Sequence, residues 1–378
     1  MKRIWQGVVS ATIVAGFGLG LALTQPAYAD DKIKIGYTAT LTGDFAAFGL
    51  NMRKGLDLAL EEINGKDNIT YDIVSSDDRG EPKEGVLIAQ KYCDDADIDV
   101  IMGYSFSSIA LAVVPIIDEC KIPVLASAVG SPELTGASKY FRRNLLTDAV
   151  QGALMGEYAA KVAGAKRIYI LHQQDDYGIG VAQAFNKAAT AAGAEIVGED
   201  NYLLGAKDFK TQLTKVREAN PDAIFIGGFY AEAAKIAEQS KALGVNAKLL
   251  GTDGSLNPEL IKLGGPAVEG MVVFGMFDPS VETPDTAAFL SAYRSKYGED
   301  PNAWAALAYD AGRTLHEAVK IAGASGPVTR ESLNLAFSQI KDLKGVTGPT
   351  TFQESGDRDG KLYFLKVENG KFKLTNSE

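Results

Sequence analysis

Along most of the chain, short runs of β-branched and aliphatic residues alternate with longer stretches whose apolar positions recur at helical spacing. That alternation predicts strand, helix, strand, helix, and hence parallel sheets covered by helices. The pattern occurs twice, with matching punctuation. The first half opens on a strand over 33–37, a loop ending in Phe48 and Gly49, a helix through Leu56, Leu58, Leu60 and Ile63, and a strand over 71–74. The second opens on 168–171, a loop ending in Tyr177 and Gly178, a helix through Ala184 and Ala188, and a strand over 195–197. Strand 100–103 then leads into Ser105, Phe106, Ser107 and Ser108, as 223–228 leads into Phe229, Tyr230, Ala231 and Glu232. Strand 123–126 precedes Gly130, Ser131, Pro132 and Glu133, and 248–251 precedes Leu256, Asn257, Pro258 and Glu259. Both of those ends read as helix starts, with an N-cap, a proline and an acid in the first turn. Such correspondences in one order predict two lobes of one design.

The remaining elements are unequally shared. After a strand over 270–274 come a helical stretch over 287–321 and a helix over 330–340. A strand over 362–367 then turns through Glu368, Asn369, Gly370 and Lys371 into a final hairpin. If these complete both lobes, the chain crosses between them more than once and makes a hinge. The expected class is α/β, two similar doubly wound parallel-sheet lobes joined by a multi-strand hinge. The expected division is 1–29 as a signal peptide, 30–147 with 278–345 as an N-terminal lobe, and 148–277 with 346–378 as a C-terminal lobe.

The signal peptide follows from Lys2 and Arg3, a mostly apolar stretch over 4–23, and Ala27, Tyr28 and Ala29 as a small-x-small cleavage pattern. Cleavage after Ala29 predicts an exported, periplasmic protein. The formal net charge of -10 argues against nucleic acid and anionic lipid as partners. The only cysteines, Cys93 and Cys120, fit no metal or redox spacing, and in an exported chain they predict one disulfide, two buried thiols being the other reading.

In open α/β sheets a ligand lies beyond the carboxyl ends of the strands, which directs attention to loops 41–49, 103–108, 127–131, 172–178, 229–232 and 252–255. Ser107 stands where a helix begins, so it either caps that helix or helps hold a carboxylate. Asp253 either pairs with an ammonium or makes an Asx turn with Gly254. Phe48, Tyr177, Phe229 and Trp304 line a pocket or fill the core. His172 and His316 have no ligand partners at metal spacing, and neither a nucleophile elbow nor a phosphate loop occurs. No enzyme, metal or cofactor is expected. Asp175 and Asp176 read as solvated loop acids.

At these loops the chain resembles the branched-chain amino-acid-binding proteins, type I periplasmic solute-binding receptors of ABC importers. The likeness spans the mature chain. It is carried by Leu41, Thr42 and Gly43 with Phe48 and Gly49, by Gly103 to Ser108, and by Ser131, Pro132, Glu133, Leu134 and Thr135. It continues through Asp176, Tyr177 and Gly178; Lys207, Asp208 and Phe209; Gly227, Gly228 and Phe229; and Gly251, Thr252, Asp253 and Gly254.

The resemblance implies a monomer that closes on an amino acid, hydrophobic or small and neutral, and docks to an inner-membrane ABC permease. The alternative is a sensor of another small carboxylate or amide that reports to a signalling partner. The resemblance places the ligand carboxylate at Ser107 and at a threonine where Gly130 stands. It places the ammonium at the Ala128 carbonyl, in the loop that includes Val129, and at Asp253 of the other lobe. Phe48, Tyr177, Phe229 and Trp304 would surround the side chain. Three features depart from the pattern. Gly130 lacks the hydroxyl, which its own N–H or the hydroxyls of Ser131 or Ser127 could replace. Asp253 is a methylene shorter than the family glutamate, and Ser105 and Phe106 replace an apolar pair.

Overall fold

The computed structural model describes Met1 and residues 31–281 and 283–375, so the expected signal peptide and its cleavage site lie outside the described residues. Its first sheet is built from β1 (Asp31–Ala39), α1 (Ala46–Ile63), β2 (Ile69–Asp77), α2 (Pro82–Asp94), β3 (Ile98–Gly103), α3 (Ser107–Cys120), β4 (Val124–Ala126) and β5 (Phe141–Arg143). The strands run in the order β2-β1-β3-β4-β5, all parallel. Helices cover both faces of such a sheet, and β1 is accordingly buried on both faces from Ile35 to Ala39. Cys93 and Cys120 form a disulfide that ties the end of α2 to the end of α3.

The second sheet repeats the design. It comprises α4 (Asp148–Glu157), β6 (Arg167–Gln173), α5 (Asp176–Ala191), β7 (Glu195–Tyr202), α6 (Lys210–Ala219), β8 (Ala223–Gly227), α7 (Tyr230–Ala242), β9 (Lys248–Leu250), α8 (Pro258–Gly264) and β10 (Val272–Gly275). Its order, β7-β6-β8-β9-β10, matches the first sheet strand for strand. The duplication read from the loops is therefore a duplication of topology.

The chain then returns to the first lobe as α9 (Pro284–Tyr297), α10 (Ala303–Gly323) and α11 (Arg330–Phe337). The single helical stretch expected over 287–321 is thus two helices. Gly298, at φ 70, ends the first in the left-handed conformation, and Pro301 precedes the second. α10 lies so close on α1 that a methyl at Gly55 would overlap the Ala305 carbonyl. On α11, the Arg330 guanidinium donates to the carbonyls of Tyr92, Cys93, Asp95 and Ile98. The hairpin β11 (Tyr363–Glu368) and β12 (Lys371–Leu374) then extends the second sheet antiparallel beyond β10.

Three segments cross between the lobes and bond to one another. The Leu146 N–H lies 3.2 Å from the Met276 sulfur, and Arg358 donates to the Asn144 carbonyl at 3.0 Å. Arg143, fully buried, pairs with Asp357 at 2.7 Å and also donates to the carbonyls of Val129 and Ser131 and to Thr135 Oγ1. Among the described residues no helix is long and apolar enough to cross a membrane.

Candidate functional site

Both sheets reverse strand order between their first and third strands, and loops leaving the carboxyl ends of those strands meet across the cleft. The lobes are in contact there. The Phe229 ring sits 4.9 Å from Phe106 and 5.3 Å from Phe48, and Tyr230 donates to the Asp44 carbonyl at 2.8 Å. At the rim a cavity of about 450 Å³ opens between Gly43, Asp44, Phe45 and the residues Lys207, Tyr230 and Glu232. Its lining does not include Ser107, Gly130 or Asp253.

The first lobe presents hydroxyls that are partly engaged with one another. Ser107 is the first residue of α3 but does not cap it; Phe106 holds the N-cap position without a side-chain bond. The Ser107 Oγ instead accepts the Ser131 N–H at 3.2 Å, joining the loops after β3 and β4. Ser105 accepts the Thr40 N–H at 3.0 Å and joins the loops after β1 and β3. Ser131 accepts from Glu133 N–H and caps its own short turn. Val129 is fully buried and Ala128 partly so.

The second lobe presents an acid. Asp253 opens a single helical turn after β9 and is 4% exposed. Its Oδ1 accepts the Tyr177 hydroxyl at 2.6 Å and the Gly254 N–H at 2.8 Å. Asp253 is therefore a turn acid, with both bonds accepted by one oxygen. Burial raises its pKa, and the bonds from Tyr177 and Gly254 pull it back. Tyr177 sits in the first turn of α5, stacked on Phe229 at 4.9 Å. The neighbouring Asp175 is not a solvated loop acid: it caps α5 by accepting the Gly178 N–H at 2.8 Å, and only Asp176 is exposed.

The aromatic shell closes around these groups. Trp304, in the first turn of α10, lies 5.3 Å from Phe48, which in turn contacts Phe106 and Phe229. The buried Trp304 Nε1–H has no partner among the described residues, an unusual state for an indole donor. Phe48, Phe106, Tyr177, Phe229 and Trp304 thus form one connected cluster.

One residue of this neighbourhood escaped the sequence reading. Asp148 follows the N-cap Thr147 at the start of α4, immediately after the first interlobe crossing. It is 0% exposed, and neither carboxylate oxygen has a hydrogen-bond partner among the described residues. Its N–H donates to the Gly130 carbonyl at 2.8 Å, and a methyl at Gly130 would overlap its carboxylate. Burial and the Asp253 charge hold its pKa well above the usual carboxylate range, with Arg143 pulling the other way. The available signal was a Thr–Asp helix start, which looks like any exposed first turn. Among the described residues no group of three or more His, Cys, Asp or Glu could hold a metal ion.

A family model described as periplasmic binding protein matches residues 32–371. The chain is 31% identical to the Leu/Ile/Val-binding protein BraC3 of Rhizobium johnstonii, over 96% of this chain and 97% of that protein. Among solved structures it resembles the leucine-binding protein LivK of Thermotoga maritima, with a TM-score of 0.86 and 32% identity, covering 91% of this chain and 97% of that one. It also resembles LivJ of Streptococcus pneumoniae in complex with isoleucine, with a TM-score of 0.84 and 27% identity, covering 91% and 99%.

Proposed function

The chain belongs to the periplasmic binding protein family, and from that premise we propose that it is an ABC-importer receptor that closes on an amino acid between its lobes. The observation that carries this reading is Asp253, buried and oriented by Tyr177 and Gly254 at a strand end of one lobe, while the strand ends of the other lobe carry serine hydroxyls and a helix N-terminus. An acid on one side and donors on the other match a ligand with an ammonium and a carboxylate. Asp253 and the Ala128 carbonyl take the ammonium; Ser107 and the loop 129–131 take the carboxylate. Phe48, Phe106, Tyr177, Phe229 and Trp304 enclose an apolar side chain, which favours a branched-chain or small neutral amino acid. The likeness to an isoleucine-bound receptor supports that class.

Magnitudes divide the work. A buried charge without its partner costs roughly 3–5 kcal/mol, while burying an aliphatic side chain stabilises by about 1.5–3 kcal/mol. The charged ends therefore set affinity, and the aromatic shell selects among side chains. Because the acid belongs to one lobe and the hydroxyls to the other, only the closed form satisfies both ends of the ligand. Ligand binding accordingly favours closure by its difference in affinity for the two forms. Closure then presents the paired lobes to an inner-membrane permease. In this reading the chain is exported, loses 1–29 after Ala29, and divides into lobes 30–147 with 278–345 and 148–277 with 346–378. The reading is of a receptor and assigns it no reaction.

The test is thermal unfolding with a panel of L-amino acids, small carboxylates and amides, after stripping carried-over ligand. Apolar L-amino acids should raise the melting temperature, and absence of a shift with every amino acid would sink the reading. Asp253→Ala should weaken the best ligand by about 100-fold, near 3 kcal/mol; an unchanged Kd would remove Asp253 from its assigned role.

A further inference from the structure

The proposed site carries one ring more than the resemblance puts around a ligand side chain. Phe106 stands at the N-cap position of α3, immediately before Ser107, and is 2% exposed. Its ring lies 5.7 Å from Phe45 and 6.2 Å from Phe48, both edge to face, and 4.9 Å from Phe229 of the opposite lobe. Phe48 and Phe45 also reach Phe229, at 5.3 and 5.9 Å. These are separations of rings in direct contact. A branched aliphatic group held between two rings needs contacts of about 3.5–4.0 Å on each side, hence centroids roughly 7–8 Å apart. Where the lobes meet, the shell is filled by its own rings, and Phe106 touches the other three.

Both sides of this contact are backed closely. Behind Phe106, a Cβ at Gly80 would come within 3.0 Å of the ring, so the loop after β2 supports it. Its chain neighbours are tied down, Ser105 to Thr40 and Ser107 to Ser131. Across the cleft, Phe229 is stacked on Tyr177 at 4.9 Å, and a Cβ at Gly254 would come within 2.7 Å of the Phe229 ring. Tyr177 is in turn held by Asp253 at 2.6 Å. Rings packed in this way yield only by strain or by moving the elements that carry them. A bulky ligand side chain would have to part Phe106 from Phe229 and the lobes with them, which breaks the Tyr230 bond to the Asp44 carbonyl.

We infer that Phe106 is a specificity-determining residue that shortens the side-chain subsite, so that the ligand is a small neutral amino acid of alanine size rather than a leucine-type one. The inference rests on the amino-acid reading of the cleft and narrows it. In an apolar subsite of full depth leucine binds more tightly than alanine, because more apolar surface is buried. A ring that fills the depth reverses that order, since specificity is set by the clash as much as by the contact.

The experiment is calorimetric titration of the full mature protein, stripped of carried-over ligand, with L-alanine, L-valine and L-leucine. Affinity should fall in that order, leucine binding at least about tenfold more weakly than alanine. Phe106→Ala should strengthen leucine by about tenfold or more and leave alanine unchanged or weaker, so that the order inverts. Phe106→Leu, a smaller change to the packing, should move the leucine-to-alanine ratio the same way by several-fold, and it decides the matter if Phe106→Ala does not fold. A merely structural Phe106 would change all three affinities by one factor or none, and that result overturns the assignment. The assignment also falls if the wild type binds leucine as tightly as alanine, or binds only other amino acids; in each case the amino-acid reading stands. Wild-type protein that unfolds cooperatively but binds none of the common L-amino acids overturns both together.

Discussion

Asp310 and Asp148 are buried to the same degree, near the same hinge, and differ in what surrounds their oxygens. Asp310, on α10, accepts the N–H groups of Val346 and Thr347 at 2.9 and 2.8 Å and the Thr347 hydroxyl at 2.5 Å. Arg358 adds its charge and is itself bonded to Thr347 and Asn144. Asp148 has no such cage. Burial raises the pKa of both acids, but for Asp310 the surrounding donors oppose it, whereas for Asp148 the neighbouring Asp253 adds to it. A buried charge with every lone pair answered belongs to the architecture. One left unanswered bears the full cost of burial unless it keeps its proton.

The contrast can be broken at its strongest point first. Arg143 holds the architectural side together, so Arg143→Ala should cost about 3–5 kcal/mol by stranding Asp357 and two carbonyls. Urea denaturation measures this, and an unchanged midpoint would mean the hinge network is redundant. Asp310→Asn should cost less, about 1–3 kcal/mol, because an amide cannot accept from all three donors. Asp148→Asn should have the opposite sign, stabilising the ligand-free protein at neutral pH by about 0.5–2 kcal/mol. If both asparagine variants lost stability alike, the two aspartates would not be different in kind.

The smallest expected effect is a slope. An acid whose folded pKa is raised binds its proton more tightly folded than unfolded, so its contribution is favourable at low pH. That contribution is lost as pH rises from the ordinary carboxylate range through the raised folded value. The ligand-free wild type should therefore lose stability over that window through Asp148 and Asp253. Asp148→Asn should flatten the dependence. Glu232, pushed up to about 7 by burial, acts in the same direction in both proteins, so the difference between their pH profiles reports Asp148 together with its effect on Asp253. Equal slopes in the two proteins would show that Asp148 keeps its charge folded and unfolded alike.

Much of this molecule was legible in the chain because it is repetitive. Strand, loop and helix starts recur in order, and equal loop chemistry came from equal strand order in the two sheets. The hairpin after Glu368 and the pairing of Cys93 with Cys120 were legible for local reasons, a turn sequence and an exported chain with only two thiols. The strand β5 was not. Its residues are Phe141, Arg142 and Arg143, and two arginines in three positions hide a buried strand unless their partners are known. Those partners, Asn334 and Asp357, lie about two hundred residues away. The break between α9 and α10 is marked in the sequence by Gly298 and Pro301 and by the polar run between them, which a single helical stretch over 287–321 passes over.

The sequence by itself determined the two-lobed α/β plan, the loops that meet in the cleft and the polarity of those loops. These follow from periodicity, turn residues and side-chain type, which act over a few residues at a time. Only the tertiary structure decided which polar groups are already spoken for. It showed that Ser107 bonds to Ser131, that Asp253 keeps one oxygen engaged by Tyr177 and Gly254, and that Asp148 lies bare beneath Gly130. Hydrogen-bond satisfaction and the energy of a buried charge depend on neighbours brought from distant parts of the chain, and no local pattern encodes them.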